Sequence, residues 1–284
     1  MLRGALPLVL LLMIFSPAAQ PLDLQGHRGA RGHAPENTLA GFERALAMGV
    51  TTLELDVGVT RDAVVVIHHD RRLNPDLARG PDGRWIGAPG PLVGALTFAE
   101  LARYDVGRLR PGSEYAQRFP HQQPIDGAGI PRLSDLFEKT RHLQVNFNIE
   151  TKISAEAPDE TLAPEPFARA LIAEIRKAGM ERRTSIQSFN WRTLEVVERE
   201  APQIATVYLT GSRNSDPAKV HAAGGRIWSP DFEQLDAAKA AAARRLGLKI
   251  IPWTVNEPAD IRRMLDLRVD GIISDYPDRV RKAR

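Results

Sequence analysis

The amino-acid sequence predicts an α/β fold: a TIM (β/α)8 barrel with a hairpin after its second strand and a long insertion at its mouth. Three observations point there. Apolar strand-like runs alternate with helix-period segments from Leu22 to the C-terminus, the pattern that builds a parallel sheet. The length of 284 residues suits one barrel of this kind. The strand candidates number one more than eight, and two of them are too close in sequence to be parallel neighbours.

In order, the strand candidates are LDLQGH (22–27), TTLELDVGV (51–59), AVVVIHH (63–69), LQVNFNIETK (143–152), TSIQSF (184–189), IATVYL (204–209), GRIWSP (225–230), LKIIPWTV (248–255) and DGIISD (270–275). Helical stretches such as TLAGFERALAMG and PEPFARALIAEIRKAGM fall between most of them. In the first helix Asn37 or Thr38 is the cap, Leu39, Phe42, Ala45 and Leu46 form the apolar stripe, and Gly49 is the stop. Parallel strands need a crossover of about a dozen residues or more. The strands around Glu54 and Val66 are therefore expected to form a hairpin about Asp62, which returns His68 and His69 to Asp56. Residues 71–132 interrupt the alternation with Gly- and Pro-rich stretches around one helical pattern, TFAELARYDVG. Long segments of that kind are usually functional, and this one, following His69 directly, is expected to cover the mouth of the site.

Composition narrows the function. Hydrophobic content of 43% and charged content of 26% are those of a globular protein able to bury a large core. A formal charge of +3 favours anionic ligands, but Lys and Arg are scattered without interleaved aromatics, which argues against nucleic acid. The opening MLRGALPLVLLLMIFSPAAQ has one Arg, an apolar run too short to span a bilayer, and small residues after it. Residues 1–19 are expected to be a signal peptide and 20–284 one domain. The mature chain would then be exported, periplasmic or secreted, with no stable membrane insertion. There is no cysteine, hence no disulfide and no lipid-modified cysteine.

Strand alternation places Glu54 and Asp56 on one face, and Asn146, Asn148, Glu150 and Lys152 on one face of a later strand. Two carboxylates side by side in a barrel strand repel unless a cation lies between them. Glu54, Asp56 and Glu150 would form an all-oxygen site suited to Ca²⁺ or Mg²⁺. His27 and His69 emerge from different strand ends beside Arg28 and Asp70, and imidazole can serve as acid or base near neutrality. Of the neighbouring pair His68 and His69, alternation points the two to opposite faces, and His69 is assigned to the site. The glycines of HRGARG suggest a backbone that must turn tightly or lie close to a ligand.

Together, HRGARGHAPENT, LELDVGVTRDAVVVIHHD, NIETK, SIQSFN, IPWTVN and DGIISDYPD resemble the glycerophosphodiester phosphodiesterase family, in order, over essentially the whole mature chain. The resemblance implies a metal-dependent TIM-barrel enzyme. It would cut glycerophosphodiesters such as glycerophosphocholine or glycerophosphoethanolamine into sn-glycerol 3-phosphate and an alcohol. It also implies His27 and His69 as the general acid–base pair and Glu54, Asp56 and Glu150 as ligands of a divalent cation. Arg28 and Lys152 would grip the phosphate, Trp253 would wall the glycerol pocket, and Gln187 is a further candidate site residue. The family usually has Gly after the Asp of the hairpin turn, where this chain has Ala63. Rival readings are a phospholipase D-type enzyme acting on lysophospholipids and an exported binding protein without catalysis.

Overall fold

The structure is a computed structural model that describes residues 21–154, 156–212 and 215–284. The expected signal peptide, 1–19, lies outside the described residues. Strand β1 (Asp23–Gly26) leads through helix α1 (Leu39–Ala47) to β2 (Thr52–Val59) and the short β3 (Val65–Ile67). Next come α2 (Phe98–Leu101), α3 (Glu114–Arg118), α4 (Leu133–Thr140) and β4 (Asn146–Thr151). The remainder alternates as α5 (Pro164–Ala178), β5 (Thr184–Ser188), α6 (Trp191–Glu200), β6 (Ala205–Thr210), α7 (Pro217–Ala222) and β7 (Ile227–Pro230). It ends with α8 (Ala237–Arg245), β8 (Lys249–Ile250), α9 (Pro258–Asp266), β9 (Gly271–Ser274) and α10 (Pro277–Ala283).

Eight strands run parallel in the order β8-β7-β6-β5-β4-β2-β1-β9. Bonds from Ile273 N to Pro252 O (3.0 Å) and from Val255 N to Ile273 O (2.9 Å) draw the two ends together. The barrel is thus nearly closed, as expected. The ninth strand is the returning arm of the expected hairpin, with Val57 opposite Ile67 and Val59 opposite Val65 in antiparallel register. Its turn places Ala63 at φ +62°, a left-handed conformation that glycine adopts without steric cost. Within the eight-residue run LKIIPWTV the regular strand covers only Lys249–Ile250, because Pro252 has no N–H to give to a ladder, and Trp253 rejoins the sheet through a parallel bridge to Asp231.

Alternation divides β2 cleanly. Leu53, Leu55 and Val57 join Phe42, Phe137, Phe147 and Phe167 in the main apolar core between barrel and helices. Glu54 and Asp56 occupy the opposite face and are buried as well. The 71–132 segment holds a second, smaller apolar cluster: Leu73, Ala78, Val93, Leu101, Val106 and Ile130 around Val66 of β3. Thr97 and Glu100 form a reciprocal capping box at the start of α2. For α1 the cap is Thr38, whose side chain accepts from Gly41 N. Among the described residues, no helix is long and apolar enough to cross a membrane.

Candidate active site

Two strands supply the acidic centre. Parallel pairing sets Glu54 opposite Asn148 and Asp56 opposite Glu150, so β2 and β4 present their carboxylates at neighbouring levels of the barrel interior. One oxygen from each of Glu54, Asp56 and Glu150 lies within 4.8 Å of the other two, and all three residues are buried. Burial and the adjacent Asp56 charge push Glu54 well above the ordinary carboxylate range. Burial likewise raises Glu150 to about 7, against the pull of Lys152. For Asp56 burial acts upward too, but His69, Arg28 and Lys152 outweigh it and hold the carboxyl well down. Buried carboxylates driven apart in this way suit a divalent cation, whose charge would let all three ionise, and an all-oxygen donor set fits a hard one.

A buried amide layer supports this centre from below. Gln187 Nε2 donates to Glu54 Oε1 at 2.6 Å. Asn148 Nδ2 donates to both Gln187 Oε1 and Gln25 Oε1 at 2.9 Å, which fixes the Gln187 amide with its NH₂ toward Glu54. Gln187 therefore meets the acidic centre through Glu54. From the other side, Asn37 Nδ2 donates to Asp56 Oδ2 at 3.1 Å.

Both assigned imidazoles are held by carboxylates. His27 Nδ1 is 2.7 Å from Asp275 Oδ1, and its Nε2 is 3.9 Å from Glu54 Oε2. Asp275 is kept ionised by Arg31 and His27 against the cost of burial. An ionised carboxylate accepts only, so Nδ1 carries the proton and Nε2 is the bare nitrogen. Burial and then Arg31 push His27 down to about 4. His69 Nδ1 is 2.6 Å from Asp70 Oδ1, and burial followed by Arg28 lowers its pKa as well. His68 turns away into a buried position, its backbone N–H donating to Asp56 O at 3.0 Å.

The two cations are tightly paired. Arg28 Nη1 is 2.7 Å from Glu36 Oε1 and its Nε is 3.2 Å from Asp56 Oδ2. Lys152 Nζ is 2.7 Å from Glu150 Oε1 and 3.6 Å from Asp56 Oδ1. Both line a cavity of about 320 Å³ together with His27, Glu54, His69, Glu150, Gln187 and Trp253. A wider groove of about 980 Å³ adjoins it past His69, Lys152 and Phe189. Phe189 is exposed and meets Trp253 edge-on at 5.4 Å, making an apolar wall.

The glycines of HRGARG are held in tight turns. A Cβ at Gly26 would meet Gly29 O at 2.2 Å, and one at Gly32 would meet the Tyr276 ring at 2.2 Å. Gly29 has φ +91° and lies against the Gly41 backbone. These glycines let the chain pack on itself. The Arg28 backbone N–H donates to Glu54 Oε2 at 2.9 Å, so the loop also serves the acidic centre. Residues without an assigned place in the site in the sequence reading include Asp275, Arg31, Glu36, Asn37 and Tyr115. For Glu36, Asn37 and Asp275 the signal was limited to the stretches APENT and SDYPD, which are polar at strand or helix ends.

The fold and site define a barrel hydrolase with an acidic cation centre and two carboxylate-tethered imidazoles. The sequence pattern of the glycerophosphoryl diester phosphodiesterase family matches residues 27–279. A glycerophosphodiester phosphodiesterase of Bacillus subtilis (strain 168) is 30% identical over 271 residues, covering 91% of this chain and 85% of its own. A Silicibacter pomeroyi protein assigned to the glycerophosphoryl diester phosphodiesterases is 38% identical, with a TM-score of 0.88 over 93% of this chain and 94% of its own. An Oleispira antarctica phosphodiesterase, solved with the product sn-glycerol 3-phosphate, has a TM-score of 0.74 at 23% identity, over 92% and 96% of the two chains. The chain belongs to the glycerophosphoryl diester phosphodiesterase family and is a phosphodiesterase.

Proposed function

We propose that this enzyme hydrolyses glycerophosphodiesters, glycerophosphocholine and glycerophosphoethanolamine among them, to sn-glycerol 3-phosphate and the free alcohol, with His27 and His69 moving the protons. The observation that carries the reading is the cluster of three buried carboxylates within 4.8 Å of one another, two of which, Glu54 and Glu150, line the same cavity as the imidazoles of His27 and His69. The product bound by the Oleispira antarctica relative agrees with it.

Glu54, Asp56 and Glu150 would hold Mg²⁺ or Ca²⁺, which when bound offsets the negative charge that builds on the phosphoryl oxygens. His27 starts neutral with Nδ1–H committed to Asp275, so its bare Nε2 takes the proton from the attacking hydroxyl. Asp275 and Arg31 hold the ring in place, and the Asp275 charge favours the imidazolium that forms. The negative charge of the phosphodiester would favour the imidazolium of His69, steadied by Asp70, which gives its Nε2 proton to the departing alkoxide and is left neutral. Arg28 and Lys152 flank the cavity and add positive charge beside the phosphate. Trp253 and Phe189 cover the carbon side of the substrate and exclude water. For location, we infer export from the apolar N-terminal run alone.

The test is release of sn-glycerol 3-phosphate from glycerophosphocholine by the chain expressed from Gln20, with EDTA and then excess Mg²⁺ or Ca²⁺. Release stopped by EDTA and restored by one cation supports the reading. No release with either cation refutes it for this substrate class, and lysophospholipids would be tested next.

A further inference from the structure

We propose that Arg118, carried by α3 of the 71–132 segment, is a specificity-determining residue that binds an anionic oxygen of the substrate at the cavity mouth. The assignment rests on the phosphodiesterase reading above.

Four permanently cationic side chains line the inner cavity: Arg28, Arg31, Arg118 and Lys152. Three are already neutralised. Arg28 pairs with Glu36 and Asp56, Arg31 with Asp275, and Lys152 with Glu150. Arg118 has no carboxylate partner among the described residues. Its contacts are with two rings, the guanidinium carbon 5.6 Å from the Tyr115 centroid and 5.7 Å from that of Phe119. A guanidinium set over aromatic faces keeps its N–H donors available for a planar, bidentate acceptor such as a phosphate or carboxylate.

The segment that carries Arg118 is tied to the catalytic loop. The Tyr115 hydroxyl donates to Glu36, the partner of Arg28. Arg31 Nη1 donates to that hydroxyl at 3.2 Å, and the Arg31 guanidinium sits 4.7 Å over the Phe119 ring. Just beyond α3, Gln122 Nε2 donates to Arg31 O at 2.8 Å and Gln123 N donates to His33 O at 2.9 Å. These bonds hold Arg118 in register with His27 and Arg28. A substrate entering the cavity therefore meets one cation that is not already shared with an acid. Because Arg118 is exposed at the rim, its effect falls on binding rather than on the chemical step.

Arg118→Ala and Arg118→Lys would be compared with the wild type on glycerophosphocholine, glycerophosphoethanolamine and glycerophosphoserine, which carries an added carboxylate. The alanine variant should raise KM roughly 10-fold with kcat within twofold, and lysine should recover part of the loss. A rise on all three substrates identifies the anion as the shared phosphate; a rise on the serine compound alone identifies the head-group carboxylate. An unchanged KM on all three overturns the assignment. Calorimetric binding of sn-glycerol 3-phosphate to wild type and Arg118→Ala runs alongside. If the wild type turns over nothing, the phosphodiester reading fails, and weaker binding by the variant still supports Arg118 as the anion contact. Equal affinities in that case overturn it. Thermal midpoints should match, since Arg118 is exposed and unpaired.

Discussion

Replacing Glu150 by Gln should stabilise the metal-free protein at neutral pH, and by an amount that depends on pH in a defined way. In the folded chain burial raises Glu150 to about 7 from the ordinary 4.5. Between those values the folded state holds a proton that the unfolded state has released. Stability from this group is therefore fully present below pH 4.5 and is lost as pH rises through about 7. At about 1.4 kcal/mol per unit the loss is about 3 kcal/mol. The wild-type profile alone would hide it. His27, pushed down to about 4 from 6.5, gains stability over nearly the same interval, because there the unfolded state binds the extra proton. Asp56, held low, loses its contribution only at more acid pH, and the raised Glu54 acts in the same direction as Glu150. The difference between Glu150→Gln and wild type cancels these shared contributions.

Urea denaturation of both proteins in EDTA at pH 4.5, 6, 7 and 8 measures that difference. It should start near zero, because Gln resembles protonated Glu. It should grow to about 3 kcal/mol in favour of the variant, or about 6–12 °C in thermal midpoint. Saturating Mg²⁺ or Ca²⁺ should restore the advantage to the wild type, since only its three carboxylates can ionise around the cation. A difference that does not change with pH would show that Glu150 is not a strained acid in the metal-free site.

His27→Ala and His69→Ala should each lower kcat by roughly 10²-fold or more. Asp275→Asn should lower it by roughly 10–100-fold with little change in KM, by releasing the His27 ring, whose Nδ1 proton is observable by NMR; an unaltered signal and rate would count against the tether. Gln187→Leu removes the 2.6 Å donor to Glu54 and should weaken cation affinity in calorimetry by about 10-fold, with activity recovered at high metal. Ala63→Gly relieves the left-handed turn residue at φ +62°. Relief of about 1–2 kcal/mol, less about 0.4–1 kcal/mol for added freedom in the unfolded chain, leaves a gain of about 0.5 kcal/mol in urea melts at unchanged kcat.

The sequence by itself determined what rests on short-range rules. Strand alternation put Glu54 and Asp56 on one face, and the few residues between β2 and β3 forced a hairpin that returned His69 to the mouth. Apolar periodicity marked nearly every strand of the barrel. Only the tertiary structure decided partners that are distant along the chain. Asp275 meets His27 across 248 residues because β1 pairs with β9, Gly26 opposite Ser274. Gln187 reaches Glu54 across the barrel interior, over 133 residues. The glycines of HRGARG look locally like a ligand cradle, yet they are required by Gly41 and Tyr276, which no local pattern places against them. Arg118 sits in a stretch without marked periodicity and reaches the cavity only because Tyr115 and Phe119 dock on Arg31 and Glu36. Alternation and loop length act over a few residues and leave their mark in the string of letters. Side-chain pairing across a closed barrel is set by which strands become neighbours and in what register, and it exists only once the chain has folded.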